Sequence, residues 1–90
     1  MSATDWTLEE QTVARCAFDL GNNRSIKVLI TTLQTQTQHL DSAESIWELH
    51  DYLSTERFEY EGRAQFDESN VLFVLADMIK KQLIAMDDLN

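Results

Sequence analysis

The sequence predicts an all-α protein made of two long helices and a shorter helical head. Its 90 residues contain no proline and two glycines, so the residues that break helices are nearly absent. Apolar residues recur at steps of three, four and seven, which is the spacing of one buried helix face. This length corresponds to one domain, which we divide into a long-helix stalk over residues 1–62 and a head over residues 63–90.

The first helix is predicted to begin at Thr7 and to continue as one long helix through Gly21. The segment from Thr7 to Glu10 has the Ser/Thr-x-x-Glu form of a capping box. Apolar positions keep the same phase on both sides of Gly21. A break there is the alternative, because Gly and Asn favour the conformation that ends helices. β-branched residues between Ile26 and Leu33 raise a strand as a further alternative, which their polar neighbours do not favour.

The second helix is predicted from about Ser42 to about Gly62, with Asp41 and Glu44 forming its N-terminal cap. A polar loop follows, and Asp67 or Ser69 is expected to cap a third helix. The apolar face of this third helix consists of Val71, Leu72, Leu75, Met78, Ile79 and Leu83. Residues 86–89 are expected to add a last turn.

Charge and cysteine content restrict the class of protein. A formal net charge of −9 argues against binding to nucleic acid or to an anionic membrane surface. Cys16 is the single cysteine, which indicates a reducing cytosol, and its apolar surroundings predict a buried, inert thiol. The longest apolar run, residues 71–76, is too short to span a bilayer, and the first ten residues do not resemble a signal peptide. We therefore expect a cytoplasmic protein.

Residues 46–57 show two different faces at helical spacing. The first, which continues to Tyr60, is apolar and is expected to be buried; it consists of Ile46, Leu49, Leu53 and Tyr60. The second consists of Trp47, His50, Asp51, Ser54 and Arg57. Trp and Arg are enriched at binding hot spots, so this second face is predicted to be an interface. A core residue beside a solvated surface is the alternative. Since the third helix is too short to cover both faces, we expect another chain to cover one.

Catalysis is a weaker interpretation of the same residues. The pair His50-Asp51 suggests a metal-dependent hydrolase, but the other histidine, His39, is poorly placed to supply a further ligand. A nucleophilic pair of Cys16 and His50 lacks a local signature, and the sequence has no glycine-rich phosphate loop. We therefore expect no enzymatic activity, no metal and no cofactor.

Phe73 lies off the apolar row of the third helix, which is expected to leave its ring toward the surface. A ring in this position is either a second-layer core residue or a contact residue for a partner. The spacing leaves both possibilities open.

The segment Trp47-x-Leu49-His50-Asp51-Tyr52-Leu53-Ser54-x-x-Arg57 resembles the central motif of the fluorescence recovery proteins of cyanobacteria. The resemblance extends forward to Phe73 and back to Trp6, so it covers nearly the whole chain. It implies an all-α homodimer that forms through the long helices and that has neither enzymatic activity nor a cofactor.

The same resemblance implies a partner, the orange carotenoid protein in its photoactivated red state. Members of the family detach this protein from the phycobilisome, which sits on the thylakoid membrane, and speed its return to the orange state. By position, Trp47, His50, Asp51 and Arg57 fall in a functional patch near the dimer interface. Phe73 falls in the part of the head that contacts the carotenoid protein.

The chain is more acidic than the family pattern. Glu48 and Glu56, which flank the motif residues, stand where basic residues are familiar. Charge complementarity governs the choice of partner, so a helical dimeric adaptor for a different protein is the alternative.

Overall fold

The computed structural model describes residues 6–89, and the elements found there are helical, with no strand in that range. Helix α1 spans Leu8–Thr37, α2 spans Ala43–Gly62, α3 spans Val71–Lys80, and a short 3-10 helix spans Met86–Leu89. With a rise of about 1.5 Å per residue, α1 is about 45 Å long. It therefore accounts for most of the 53 Å long axis of the molecule. The prediction of an all-α fold with a last turn near the C-terminus is confirmed.

Helix α1 begins and continues as predicted. The Thr7 hydroxyl accepts a hydrogen bond from the Glu10 backbone N–H, and the Glu10 carboxylate accepts one from the Thr7 backbone N–H. The helix passes through Gly21 without a break, so the alternatives of a break and of a strand are wrong. No helix among residues 6–89 is both long enough and apolar enough to cross a membrane.

The caps predicted for α2 and α3 are displaced. Ser42, rather than Asp41, caps α2, and Ser45 takes the reciprocal role that was expected of Glu44. Both positions offer a short polar side chain, and the side chain that reaches the backbone N–H three residues later decides the start. The N-cap of α3 is Asn70, without a side-chain cap bond in the described residues.

Asp67 shapes the loop before α3 instead of capping the helix. Its carboxylate accepts hydrogen bonds from the Ser69 hydroxyl and the Ser69 backbone N–H, at 2.7 and 2.9 Å. These bonds, the hydroxyl first, hold the pKa of the Asp67 carboxyl below its usual range. The loop is therefore folded into a local Asx-type turn.

The core lies between the N-terminal half of α1 and α3. Its buried residues are Ala14, Ala17, Phe18, Val71, Leu75, Met78, Leu83 and Ile84. Phe66 packs edge-to-face on Phe18, with ring centroids 5.4 Å apart.

The prediction that Cys16 is buried is wrong, because the thiol is exposed. In this part of α1 the side that is buried carries Ala14, Ala17 and Phe18, and Cys16 lies outside it. The division into stalk and head stays a prediction.

Helix α2 runs back along the C-terminal half of α1. Its end is fixed there by a buried hydrogen bond from Asn22 Nδ2 to the Arg63 carbonyl oxygen, 3.1 Å. Within Ala43–Gly62, which the structure describes in full, no residue is buried. The prediction that Ile46 and Leu53 are buried is wrong, since these side chains are 48% and 40% exposed. The reason is that α3 packs on the other half of α1 and does not cover α2.

The C-terminal 3-10 helix is held on α1 by Asp88 and Arg24. Asp88 Oδ2 accepts hydrogen bonds from the Ala85 backbone N–H, at 2.9 Å, and from Arg24 Nη1, at 3.1 Å. Arg24 Nη1 also donates to the Leu83 carbonyl oxygen, at 3.0 Å. The backbone bond from Ala85, followed by the contact with Arg24, holds the pKa of the Asp88 carboxyl below its usual range.

Gly21 is predicted to be intolerant of any side chain. A methyl group at this position would overlap Sδ of Met78, whose side chain is completely buried. We expect Gly21→Ala to lower the free energy of unfolding by about 1–2 kcal/mol, because the cost of overpacking exceeds the helix propensity gained. Urea unfolding at fixed protein concentration measures the change.

Gly62→Ala is the matched control. It lies at the end of α2, where an added Cβ would meet no described atom within 4 Å apart from its chain neighbours and the backbone of its own helix. We expect this change to be neutral or to add about 0.5 kcal/mol. Equal effects of the two substitutions would contradict the packing described at Gly21.

Asp88 is predicted to contribute stability that depends on pH. An aspartate whose pKa is lowered in the folded state stabilises the fold above the ordinary pKa of about 3.9, and this stability is lost as pH falls through the folded-state pKa. Asp88→Asn should therefore lower the urea midpoint near neutral pH, and its difference from the wild type should shrink below about pH 4. The neighbouring Asp87→Asn, at a side chain without a hydrogen bond in the described residues, should leave the midpoint unchanged. A deficit of Asp88→Asn that is constant across this range would contradict the assignment.

Candidate functional site

The site residues predicted on α2 share the side of the helix that points away from α1. Trp47, Asp51 and Ser54 follow one another at steps of four and three, and all three are exposed. The opposite side of α2, which includes Leu49 and Tyr52, lines the clefts against α1. We call the exposed side the outer face of α2; it consists of Trp47, His50, Asp51, Ser54, Arg57 and Phe58.

Two large aromatic side chains project from this outer face. Trp47 is 64% exposed and Phe58 is 81% exposed. They are eleven residues apart, which is three helical turns or about 16 Å along α2. The sequence analysis missed Phe58, although its spacing from Trp47 could have revealed it. Exposed aromatic residues grouped on one surface and surrounded by polar groups are typical of a protein-interaction site.

The polar groups of the outer face are bonded within α2 or are open to solvent. His50 Nδ1 lies 3.3 Å from Asp51 Oδ1, and both side chains are mostly exposed. Arg57 Nε donates to Glu61 Oε1 at 2.7 Å, and this hydrogen bond raises the pKa of Arg57. Exposed pairs of this kind contribute little to stability because water screens them. Within residues 6–89, these groups are not bonded to another helix, so they are accessible to a partner.

The geometry does not support a catalytic or metal site at His50. No group of three or more His, Cys, Asp or Glu side chains within residues 6–89 is arranged to hold a metal ion. His39 lies beyond the end of α1, where its ring Nδ1 is 2.9 Å from the Thr35 carbonyl oxygen. Cys16 lies in the third turn of α1, whereas α2, which carries His50, lines clefts with the C-terminal half of that helix. The outer face therefore has the chemistry of a binding surface.

Phe73 lies on a different surface from the other predicted residues. Its ring is 69% exposed on α3, which confirms the predicted exposure. A shallow groove beside it is lined by Arg63, Asp77 and Lys81. Lys81 Nζ joins α3 to α2 through Asp77 and Glu59, at 3.2 and 3.3 Å. The structure thus separates two exposed aromatic surfaces, one on α2 and one on α3.

Glu48 and Glu56 face α1 rather than the outer face. Glu48 lines a cleft together with Thr32, and Glu56 lines a second cleft together with Leu29. Glu48 and Glu56 are therefore next to the predicted binding residues in the sequence, but their side chains lie on a different side of α2. The charges within the outer face come from Asp51 and Arg57.

The chain matches the family model described as photoprotection regulator fluorescence recovery protein over residues 6–90. It is 30% identical over 84 residues to the fluorescence recovery protein of Synechocystis sp., a match that covers 93% of this chain and 77% of that protein. It is also similar to the solved structure of the Fremyella diplosiphon fluorescence recovery protein, with 34% identity and a TM-score of 0.85 over 94% of this chain and 83% of that chain. The resemblance indicated by the central motif is confirmed.

Proposed function

Because this chain belongs to the fluorescence recovery protein family, whose members are non-enzymatic regulators of photoprotection, we propose that it ends photoprotective quenching by binding the orange carotenoid protein. It binds the photoactivated red state, helps to detach it from the phycobilisome and accelerates its return to the orange state. We place this activity in the cytoplasm, beside the thylakoid membrane. The observation that carries the proposal is the outer face of α2, where the motif residues stand exposed beside Phe58.

The proposal includes a homodimer that forms through the long helices. Large apolar side chains of α1 and α2 are exposed in the single chain; they include Val28, Ile30, Ile46, Trp47, Leu53 and Phe58. A chain of this length buries only about 60–65% of its unfolded surface, so a second copy would add apolar burial that one copy lacks. Trp47 packs at the seam between the copies, and the polar residues of the outer face form charge-assisted hydrogen bonds across it or with the partner.

The mechanism follows from differential binding. A protein that only binds can speed the relaxation of its partner if it favours the transition state or the compact state over the expanded red state. A dimer presents each contact surface twice. It can therefore hold two separated domains of the partner near each other and raise their effective concentration. Phe73 is the proposed contact on the head, where its exposed ring needs no rearrangement of the core.

A helical dimeric adaptor for a different protein is the second candidate, favoured by the net charge of −9. Electrostatic complementarity affects mainly the rate of association and the choice of partner. The position of Glu48 and Glu56 on the α1 side of α2 supports the first candidate, because these carboxylates do not face a partner bound at the outer face.

The protein is predicted to accelerate the dark reversion of photoactivated orange carotenoid protein. At stoichiometric excess we expect the rate of loss of red absorbance to rise by at least about tenfold, which corresponds to about 1.4 kcal/mol of preferential stabilisation of the transition state. The carotenoid protein alone, at the same temperature, is the control. Recovery of phycobilisome fluorescence measures detachment separately. An unchanged reversion rate would exclude this partner and leave the adaptor.

Trp47→Ala is predicted to weaken self-association. We expect the dimer dissociation constant to rise by at least about tenfold, because the change removes a large aromatic residue from the seam. Sedimentation velocity over a range of concentrations measures it. Phe73→Ala is the matched control, since Phe73 is similarly exposed but lies on the head. It should leave self-association unchanged and slow the accelerated reversion. The opposite pattern would show that the two surfaces have been assigned the wrong way round.

A further inference from the structure

A third surface of the molecule, a groove on the head, is not used by the proposed function. It has a volume of about 450 Å³ and lies between the first turns of α1, the helix α3 and the C-terminal 3-10 helix. Its wall is largely apolar and includes Trp6, Val13, Leu72, Ile79 and Leu89. Trp6, Ile79 and Leu89 pack on the buried core from one side, so this wall rests on the most firmly packed part of the fold.

The groove is separate from the surface around Phe73. Leu72, Ala76 and Ile79 follow one another at steps of four and three, so they share one side of α3. Phe73 is turned from Leu72 by about 100° around the helix. Phe73 lies instead in the groove with Asp77 and Lys81. A partner that contacts only Phe73 would therefore leave the apolar groove empty.

The rim of the groove is acidic. Glu9 and Glu10 lie on it, in the first turn of α1. One carboxylate oxygen of Glu10 accepts from the Thr7 backbone N–H, whereas Glu9 makes no hydrogen bond within the described residues. The rim thus attracts cations. It also disfavours a second copy of this chain, because symmetric pairing of the grooves would bring the same carboxylates of both copies together.

The size of the groove indicates how much apolar material it accepts. A cavity of about 150 Å³ holds one benzene ring. The 450 Å³ of this groove is three times that volume, which is enough for about three large side chains. An amphipathic helix presents three such side chains on one face, at positions i, i+3 or i+4, and i+7.

We propose that the groove on the head binds an amphipathic helical segment of the partner protein that carries lysine or arginine beside its apolar face. The apolar side chains enter the groove, and the cationic side chains lie over Glu9 and Glu10. The identification of that partner as the orange carotenoid protein rests on the proposed function, whereas the chemistry of the segment rests on the groove.

Two substitutions test the groove in the full-length protein. Ala76→Phe fills it from an exposed position on α3, and Glu9→Lys reverses the charge at one position on its rim. The matched controls are Ala64→Phe, at an exposed alanine outside the groove, and Asp19→Lys, at an exposed carboxylate of α1 that does not line the groove. The controls keep the same change in volume and in net charge. Circular dichroism checks the fold of each variant, and sedimentation checks its oligomeric state.

We expect Ala76→Phe to weaken binding to photoactivated orange carotenoid protein by about tenfold, since it blocks the pocket for an anchor residue. Glu9→Lys should weaken binding by about threefold at low salt and by less at high salt, because salt screens exposed charges. Both controls should stay within about twofold of the wild type. If Ala76→Phe binds and accelerates reversion as well as the wild type does, the groove proposal is overturned while the proposed function stands.

A second readout separates the groove from the identity of the partner. In a Trp47→Phe background Trp6 is the remaining tryptophan, and it lines the groove. A synthetic leucine/lysine amphipathic helical peptide should shift its emission to shorter wavelength, and a leucine/glutamate peptide should not. If the first peptide shifts Trp6 but the carotenoid protein does not bind, the proposed function fails and the groove chemistry stands. No shift with either peptide overturns the proposal, as does a change in self-association caused by Ala76→Phe.

Discussion

The close packing of α3 on the N-terminal half of α1 determines how the rest of the chain is used. Ala14, Ala17 and Gly21 present small surfaces to α3, so Met78 can lie directly against the backbone of α1 and be buried completely. A helix of ten residues covers only part of a helix of thirty. The remaining half of α1 is therefore left to α2, and residues 6–89 contain no further helix that lies over α2. The exposed aromatic residues are a consequence of this arrangement.

In this arrangement, the residues that stabilise the fold are different from the residues proposed to bind other proteins. The residues that hold the fold meet at one end of the molecule, around Phe18 and Met78. The residues proposed to meet other proteins lie on surfaces that contribute little to that core, on the outer face of α2 and around Phe73. In the proposed dimer, joined at the outer face, the Phe73 surface is present twice, which suits a regulator proposed to hold two parts of a partner at once. An enzyme, in contrast, needs its groups to converge in one concave site.

Features that depend on local spacing, such as helix starts and helix continuity, could be predicted from the sequence. The burial of a side chain could not be predicted where it depends on residues that are distant in the sequence. The capping box at Thr7 and the continuity of α1 through Gly21 could be read directly, because they rest on contacts within four residues. The exposure of Ile46 and Leu53 could not, since it depends on which half of α1 receives α3. The cap at Ser42 differs from the prediction by one residue, because the adjacent polar residues Asp41 and Ser42 are nearly equivalent as helix starts.

The positions of residues around α2 describe the outer face better than the sequence motif alone does. The steps that place Trp47 and Asp51 together also add Phe58, and they turn Glu48 and Glu56 toward α1. Residues that are neighbours in the sequence thus belong to different surfaces. An acidic substitution within a motif can therefore change the cleft between two helices without changing the charge that a partner meets. In this chain the Glu48 and Glu56 side chains line the clefts between α1 and α2, whereas Asp51 and Arg57 supply the charges of the outer face.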